Sequence, residues 1–280
     1  MICVKLSSAS RPTPGGAAYH VGLSAGQMPG IVLLPGDPGR VKAIASVLSD
    51  PVMLASHREF VSARGTWRGV DIGVCSTGIG APSAAIAVEE LAALGCHTFL
   101  RVGSTGAIGP GISCGDLIIN TAAVRMESTS LPYVVAGYPA HAHYEAVNAL
   151  IESCSALQAP FHVGICASTD SFYVGQGRPG LAGYLPSAAE HLIPDLARMR
   201  VLNFEMEAAA LFTLGSVYGL RTGSVCAVFA DRNTDTFAMK GEDEAIKAAV
   251  FAASLLATWD AKKARMGVRY LPPSHTCTEW

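Results

Sequence analysis

The run Ile31-Val32-Leu33-Leu34-Pro35-Gly36-Asp37-Pro38-Gly39-Arg40 and its counterpart Thr98-Phe99-Leu100-Arg101-Val102-Gly103-Ser104-Thr105-Gly106 decide the fold. Each is a short apolar stretch that runs into glycines, and each carries one arginine. Such stretches read as central strands of an α/β sheet, where ligands gather at the carboxyl ends of the strands. Glycines let backbone N–H groups approach an anion closely, and a guanidinium offers a planar fork to its oxygens. The pair therefore predicts a site for a phosphate or a carboxylate.

Working outward, strand-like and helical runs alternate. Strands are expected at 31–34, 51–57, 59–66, 70–76, 98–102, 117–124, 162–167 and 222–229. Helices are expected at 38–48, 83–94, 144–157, 204–218 and 242–259, with Pro38 in the first turn of one, and with Ser83 capping and Gly95 stopping another. The polar, glycine-bearing stretch 168–183 reads as a functional loop. Residues 1–19 read as a loose arm, 20–263 as one α/β domain with a mixed central sheet flanked by helices, and 264–280 as a tail.

Composition narrows the classes. The 280 residues are 50% hydrophobic and only 15% charged, with a mean hydropathy of +0.34, so some apolar surface is expected to be buried between subunits. A net charge of -2 gives no basic footprint for nucleic acid. The apolar run Val250–Trp259 is too short to span a membrane, and the first residues lack the apolar core of a secretion signal. The eight cysteines contain no C-x-x-C pair and several sit in apolar runs, which predicts reduced thiols and a cytoplasmic location.

Several motifs fail on context. Gly175-Gln176-Gly177-Arg178-Pro179-Gly180 matches a dinucleotide fingerprint, with Asp195 near the place of a ribose-binding acid. No strand enters its first glycine, and Pro179 and Pro186 oppose a helix at its last. His141 and His143 lack the further ligands that a metal would need, and no G-x-S-x-G elbow is present. The segment Cys75–Ser83 reads as strand, glycine turn and helix, equally suited to plain punctuation and to ligand contact. Asn203-Phe204-Glu205-Met206-Glu207 opens an apolar helix with two acids. These could serve the helix dipole, or a buried carboxylate there could grip a sugar diol.

Taken in order, the segments resemble the nucleoside phosphorylase family of purine nucleoside and uridine phosphorylases, most of all its uridine branch. The likeness is carried by Tyr19-His20, Pro35–Arg40, Ser56–Phe60, Ser76–Gly80, Arg101–Gly106, Asp170–Arg178 and Phe204–Glu207. It implies phosphorolysis of uridine to uracil and ribose 1-phosphate, with phosphate as co-substrate and no cofactor. It implies that Gly36, Arg40, Arg101 and Ser104 hold phosphate, joined by Arg58 from a neighbouring subunit. Nucleoside contacts would come from Thr105, Gly106, Phe172, Gln176, Arg178, Glu205, Met206 and Glu207, with His20 of the neighbour near the 5′-hydroxyl. Arg101, Gln176, Arg178 and Glu207 would carry the catalysis. Glu59, Ile79 and Ser83 match a monovalent-cation site between subunits, and the assembly would be a homodimer or a trimer of dimers. Ser104 stands where uridine enzymes often carry Thr. Asp231 stands near the acid with which the purine enzymes protonate their base, so the purine branch is the nearest rival, followed by nucleoside hydrolases of the same fold.

Overall fold

The computed structural model describes residues 8–272. Strands β1 (Ile31–Pro35), β2 (Ser49–His57), β3 (Phe60–Trp67), β4 (Val70–Cys75), β5 (Thr98–Ala107), β6 (Leu117–Met126), β7 (Ala140–His141), β8 (Phe161–Thr169), β9 (Val201–Glu205), β10 (Arg221–Asp231) and β11 (Thr236–Phe237) form one mixed sheet. The helices are α1 (Pro38–Val47), α2 (Ala81–Ala93), α3 (Tyr144–Ala156), α4 (Ser187–Glu190), α5 (Leu192–Arg198), α6 (Ala208–Tyr218) and α7 (Glu242–Met266). This is the mixed α/β architecture expected from the sequence.

Parallel strands β4, β1, β5 and β10 lie side by side. Beyond them β10 pairs with β6, β6 with β8, β8 with β9, and β9 returns to β5, which closes a five-strand ring. Period-two alternation decides which helices cover which face. Ile31, Leu33, Leu100 and Val102 point toward α1, α3 and α7, whose Val41, Ala149, Leu150, Ala249 and Leu256 complete one core. Val32, Leu34 and Phe99 point the other way, onto Val88 and Leu91 of α2 and Phe212 and Leu214 of α6. Arg101 shares the strand face of Phe99 and so emerges on the α6 side.

The differences from the expected elements cluster at the strand ends. The strand expected at 98–102 continues to Ala107, so Ser104, Thr105 and Gly106 are strand residues rather than a turn. The helix expected from 204 begins at Ala208, because Val201–Glu205 pairs with β8 and β5 as β9. A five-residue strand that ends in charge gives little periodicity to read. Ser83 does not cap α2: Gly80 is its N-cap, at φ 98°, a conformation that favours glycine, and the Ser83 hydroxyl turns to Glu59. Helices α4 and α5 and the short strands β7 and β11 were not foreseen, and α7 runs past Trp259 to Met266. The six described cysteines are free thiols, while Cys3 and Cys277 lie outside the described residues. Among the described residues no helix is long and apolar enough to cross a membrane, and no His, Cys, Asp and Glu cluster suits a metal. His143 caps α3, its Nδ1 accepting from Glu145 N at 3.2 Å. Of the glycines of 175–180, Gly175 lies in a single helical turn, Gly177 follows it and Gly180 precedes the next, and none leads into a long helix.

Candidate active site

The carboxyl ends of β1, β5, β9 and β10 open into a cleft of about 960 Å³. Gly36, Arg40, Arg101, Ser104, Thr105, Gly106, Phe172, Gln176, Arg178, Glu205, Met206 and Glu207 all line it, as do Glu59 and Ile79. Residues as far apart in sequence as Gly36 and Glu207 are thus brought together by strand order alone.

Arg101 lies at the centre and is 5% exposed. Its Nε donates to Glu205 Oε2 at 3.0 Å, and its Nη2 sits 2.5 Å from Glu207 Oε2. Glu205 is saturated by the protein: Oε2 also accepts from the N–H groups of Glu207 (2.9 Å) and Ala208 (2.8 Å), and Oε1 accepts from the Ser168 hydroxyl. Satisfying the first N–H groups of α6 in this way gives the helix its N-terminus and fixes where Met206 and Glu207 emerge. Glu207 Oε1 accepts from Gly80 N at 2.6 Å, which ties α6 to the glycine turn before α2. Burial works against the Arg101 charge, but Glu207 and Glu205 outweigh it, so the guanidinium holds its proton more firmly than usual. Burial raises the pKa of Glu207, and Glu205 adds to this while Arg101 opposes it. One cation shared by two buried carboxylates accounts for both directions. Glu205 has the more hydrogen-bond donors, so Glu207 is the acid left short of compensation.

Arg40 is equally enclosed, at 6% exposure, with Nη1 donating to Val102 O at 3.0 Å and Nη2 to Glu242 Oε2 at 2.7 Å. Its Nε is buried with no partner among the described residues. Gly36 has little room for a side chain: a Cβ there would lie 3.2 Å from Gly78 O and 4.0 Å from Arg101 Nη1. A glycine at this point lets backbone and guanidinium face the same volume.

At the other end of the cleft Arg178 stacks on Phe172, its Cζ 4.1 Å from the ring centroid. Its Nη1 donates to Gln176 Oε1 at 2.5 Å and to Phe172 O at 2.9 Å. The Gln176 amide is buried and donates to Thr169 Oγ1 at 3.1 Å, which fixes its orientation. Burial, then the neighbouring Arg232, lowers the pKa of Arg178 to about 10. Arg232 in turn donates from Nη1 to Gln176 O at 3.1 Å and braces this turn. Arg232 and Ser168 escaped the sequence reading because they act on partners distant in the chain, and Thr169 because its contact with Gln176 depends on how the intervening loop folds. Gly103, a glycine of the second motif, also makes room for the guanidinium: a Cβ there would come within 2.9 Å of Arg101 Nη2. A bulge in β10 between Val228 and Ala230 adds Phe229 to the cleft wall.

Asp231 borders the cleft but is engaged elsewhere. Its Oδ1 accepts from Asn233 N at 2.9 Å and its Oδ2 from Thr234 Oγ1 at 2.6 Å. Burial pushes its pKa up, yet the hydrogen bonds from Thr234 and Asn233 outweigh this and hold it below the usual carboxylate range. Thr105 is likewise occupied, donating to Phe204 O at 2.5 Å and accepting from Asn203 Nδ2 at 2.8 Å.

Three expected residues, Arg58, His20 and Ser83, do not line the cleft of their own chain. Arg58 is exposed at φ 54°, with its Cζ 5.7 Å from the Tyr19 ring centroid. His20 is half-buried against Glu90. Ser83 lies just behind the cleft wall and donates to Glu59 Oε1 at 2.8 Å. The backbone of Glu59 and then Ser83 lower that carboxylate's pKa, and Ile79 beside it is 80% exposed.

The family model described as the phosphorylase superfamily matches residues 30–258. A uridine phosphorylase of Thermococcus kodakarensis is 55% identical over 270 residues, covering 96% of this chain and 98% of its own length. The uridine phosphorylase of Escherichia coli is 42% identical over 247 residues, 85% of this chain and 97% of its own. A guanosine phosphorylase of Halorubrum lacusprofundi is 37% identical over 224 residues, 80% of this chain and 87% of its own.

Proposed function

The chain belongs to the phosphorylase superfamily, and from that premise we propose that it catalyses the reversible phosphorolysis of uridine to uracil and ribose 1-phosphate. The observation that carries this reading is a single cleft with a buried cationic end, Arg40 and Arg101, and a polar base-reading end, Gln176 and Arg178.

Phosphate occupies the end formed by Gly36, Arg40, Arg101 and Ser104, where the unpartnered Arg40 Nε offers one ready donor. These guanidinium groups are already paired with Glu242, Glu205 and Glu207, and they meet phosphate through their remaining N–H donors. Glu207 accepts from the ribose hydroxyls while Met206 packs on the sugar. Phe172 stacks on the uracil ring, and Gln176 and Arg178 donate to its carbonyl edge. As the glycosidic bond lengthens, C1′ becomes cationic and the phosphate opposite stabilises it. The departing uracil becomes anionic at its carbonyl oxygens, where Arg178 stands. A donor preset where charge develops is worth roughly 10²–10³ in rate. Phosphate oxygen then bonds to C1′ as the C1′–N1 electron pair leaves with uracil. No covalent enzyme intermediate is needed.

The guanosine relative keeps a purine reading in view. The state of Asp231 opposes it: a carboxylate held ionised by Thr234 and Asn233 is a poor proton donor to a purine ring. In our reading two subunits complete each other's sites, Arg58 and His20 reaching the partner's cleft, with Glu59, Ile79 and Ser83 holding a monovalent cation at the same boundary. The exposure of Arg58 and Ile79 supports this. Incubation with uridine, thymidine, inosine and guanosine in phosphate buffer, following free base, tests the substrate. Uridine should be turned over fastest, and a preference for guanosine would refute the assignment.

A further inference from the structure

Glu90, in the last turn of α2, is joined to His20 by several hydrogen bonds. Its Oε2 accepts from the N–H of His20 at 3.0 Å and of Val21 at 2.9 Å, and its Oε1 lies 2.6 Å from His20 Nδ1. A carboxylate has only lone pairs to offer, so the proton of this short contact resides on Nδ1. In the neutral ring Nε2 then carries a free lone pair, and no partner for that atom occurs among the described residues. The ring is steadied on other sides as well: Tyr19 meets it edge-on at 4.8 Å, Phe60 at 6.3 Å, and the His20 carbonyl lies 3.0 Å from His57 Nδ1. With side-chain exposures of 27% for His20 and 18% for Glu90, the pair is half-sheltered, with the histidine facing outward.

We propose that Glu90 is a positioning residue for the neighbouring subunit's cleft. It fixes the His20 tautomer and ring orientation so that Nε2 accepts a hydrogen bond from the 5′-hydroxyl of the nucleoside bound there. The proposal rests on the uridine phosphorolysis reading and adds to it a determinant of 5′-hydroxyl recognition located outside the cleft. A carboxylate on the far nitrogen of an imidazole is a general means of setting which nitrogen accepts and where the ring points. Without Glu90 the ring can turn, or carry its proton on Nε2, and that atom would then offer a donor where an acceptor is wanted.

The test compares kcat/KM for uridine and 5′-deoxyuridine in the wild type, Glu90→Gln, Glu90→Ala, His20→Ala and the Glu90→Gln/His20→Ala double variant. The wild type should prefer uridine by about tenfold, the size of one well-made hydrogen bond in a closed site. His20→Ala should abolish that preference. Both Glu90 variants should lose most of it while turning over 5′-deoxyuridine within about threefold of the wild type, and the double variant should lose no more than His20→Ala alone. Independently of activity, nitrogen NMR of the imidazole should show a proton on Nδ1 in the wild type and a shift toward the other tautomer in Glu90→Gln. Glu90 variants that keep the full preference, or that lose activity equally on both substrates, would overturn the proposal, as would an unchanged tautomer. A wild type that turns over neither substrate would remove the uridine reading and the proposal together. A wild type that turns over uridine without regard to the 5′-hydroxyl would remove the proposal alone.

Discussion

Replacing Arg101 by methionine removes the charge from the centre of the site while keeping an unbranched stem, and it separates catalysis from stability. Breaking a buried ion pair ordinarily costs about 3–5 kcal/mol, because a charge is left without compensation. Here the loss is smaller than two such pairs would suggest. Glu205 retains the Ser168 hydroxyl and two backbone N–H groups, and Glu207 retains Gly80 N. Glu207 has a second escape, which is to bind a proton. Its pKa is already raised by burial and by Glu205, and loss of Arg101 removes the positive charge that opposes the rise. A carboxyl whose pKa is higher folded than unfolded contributes stability that is complete below the unfolded value and declines as pH rises through the folded one. Arg101→Met should therefore lose stability relative to the wild type more at about pH 8 than at about pH 5. Thermal melting of both proteins at the two pH values measures this, and the carboxylates held low elsewhere cancel in the difference. Phosphorolysis should fall by at least about 10²-fold at either pH. Activity within tenfold of the wild type, or a stability difference that grows toward acid, would refute this account of the cluster.

Gln176→Ala should impair uridine turnover by about 10-fold or more while changing the apparent affinity for phosphate little, as initial rates against phosphate would show. Asp231→Asn should keep uridine turnover within several-fold and gain no guanosine activity, since Asp231 holds a turn and not a base; a loss confined to a purine substrate would contradict this. Arg58→Ala and Arg101→Ala should each be nearly inactive, but after joint unfolding and refolding in equal amounts should recover about a quarter of wild-type activity. Half the pairs are then mixed, and one of the two sites in each is intact. Tagged subunits would verify the mixed pairs, and their continued inactivity would show that Arg58 does not serve a partner.

The anion end was legible because strand followed by glycine and arginine is a local pattern. Ile31–Arg40 and Thr98–Gly106 each declare it within ten residues or fewer. The base end was legible only through resemblance: nothing in Asp170–Arg178 announces that Arg178 will stack on Phe172 or that Thr169 will orient Gln176. Strand β9 was missed because its apolar residues run directly into the acids that start α6, and the two periods merge in so short a stretch. Asp231 was misleading for the opposite reason. Its residue type matched a proton donor, but its hydrogen bonds to Asn233 and Thr234 depend on a turn that the sequence does not spell out.

The most direct test of the central claim is the stoichiometry of uridine cleavage. Uracil release and phosphate consumption should be followed together as phosphate is lowered toward zero. The account predicts one phosphate consumed per uracil formed, ribose 1-phosphate as the second product, and a rate that vanishes with phosphate. Uracil released at an undiminished rate without phosphate, with free ribose as the other product, would contradict it.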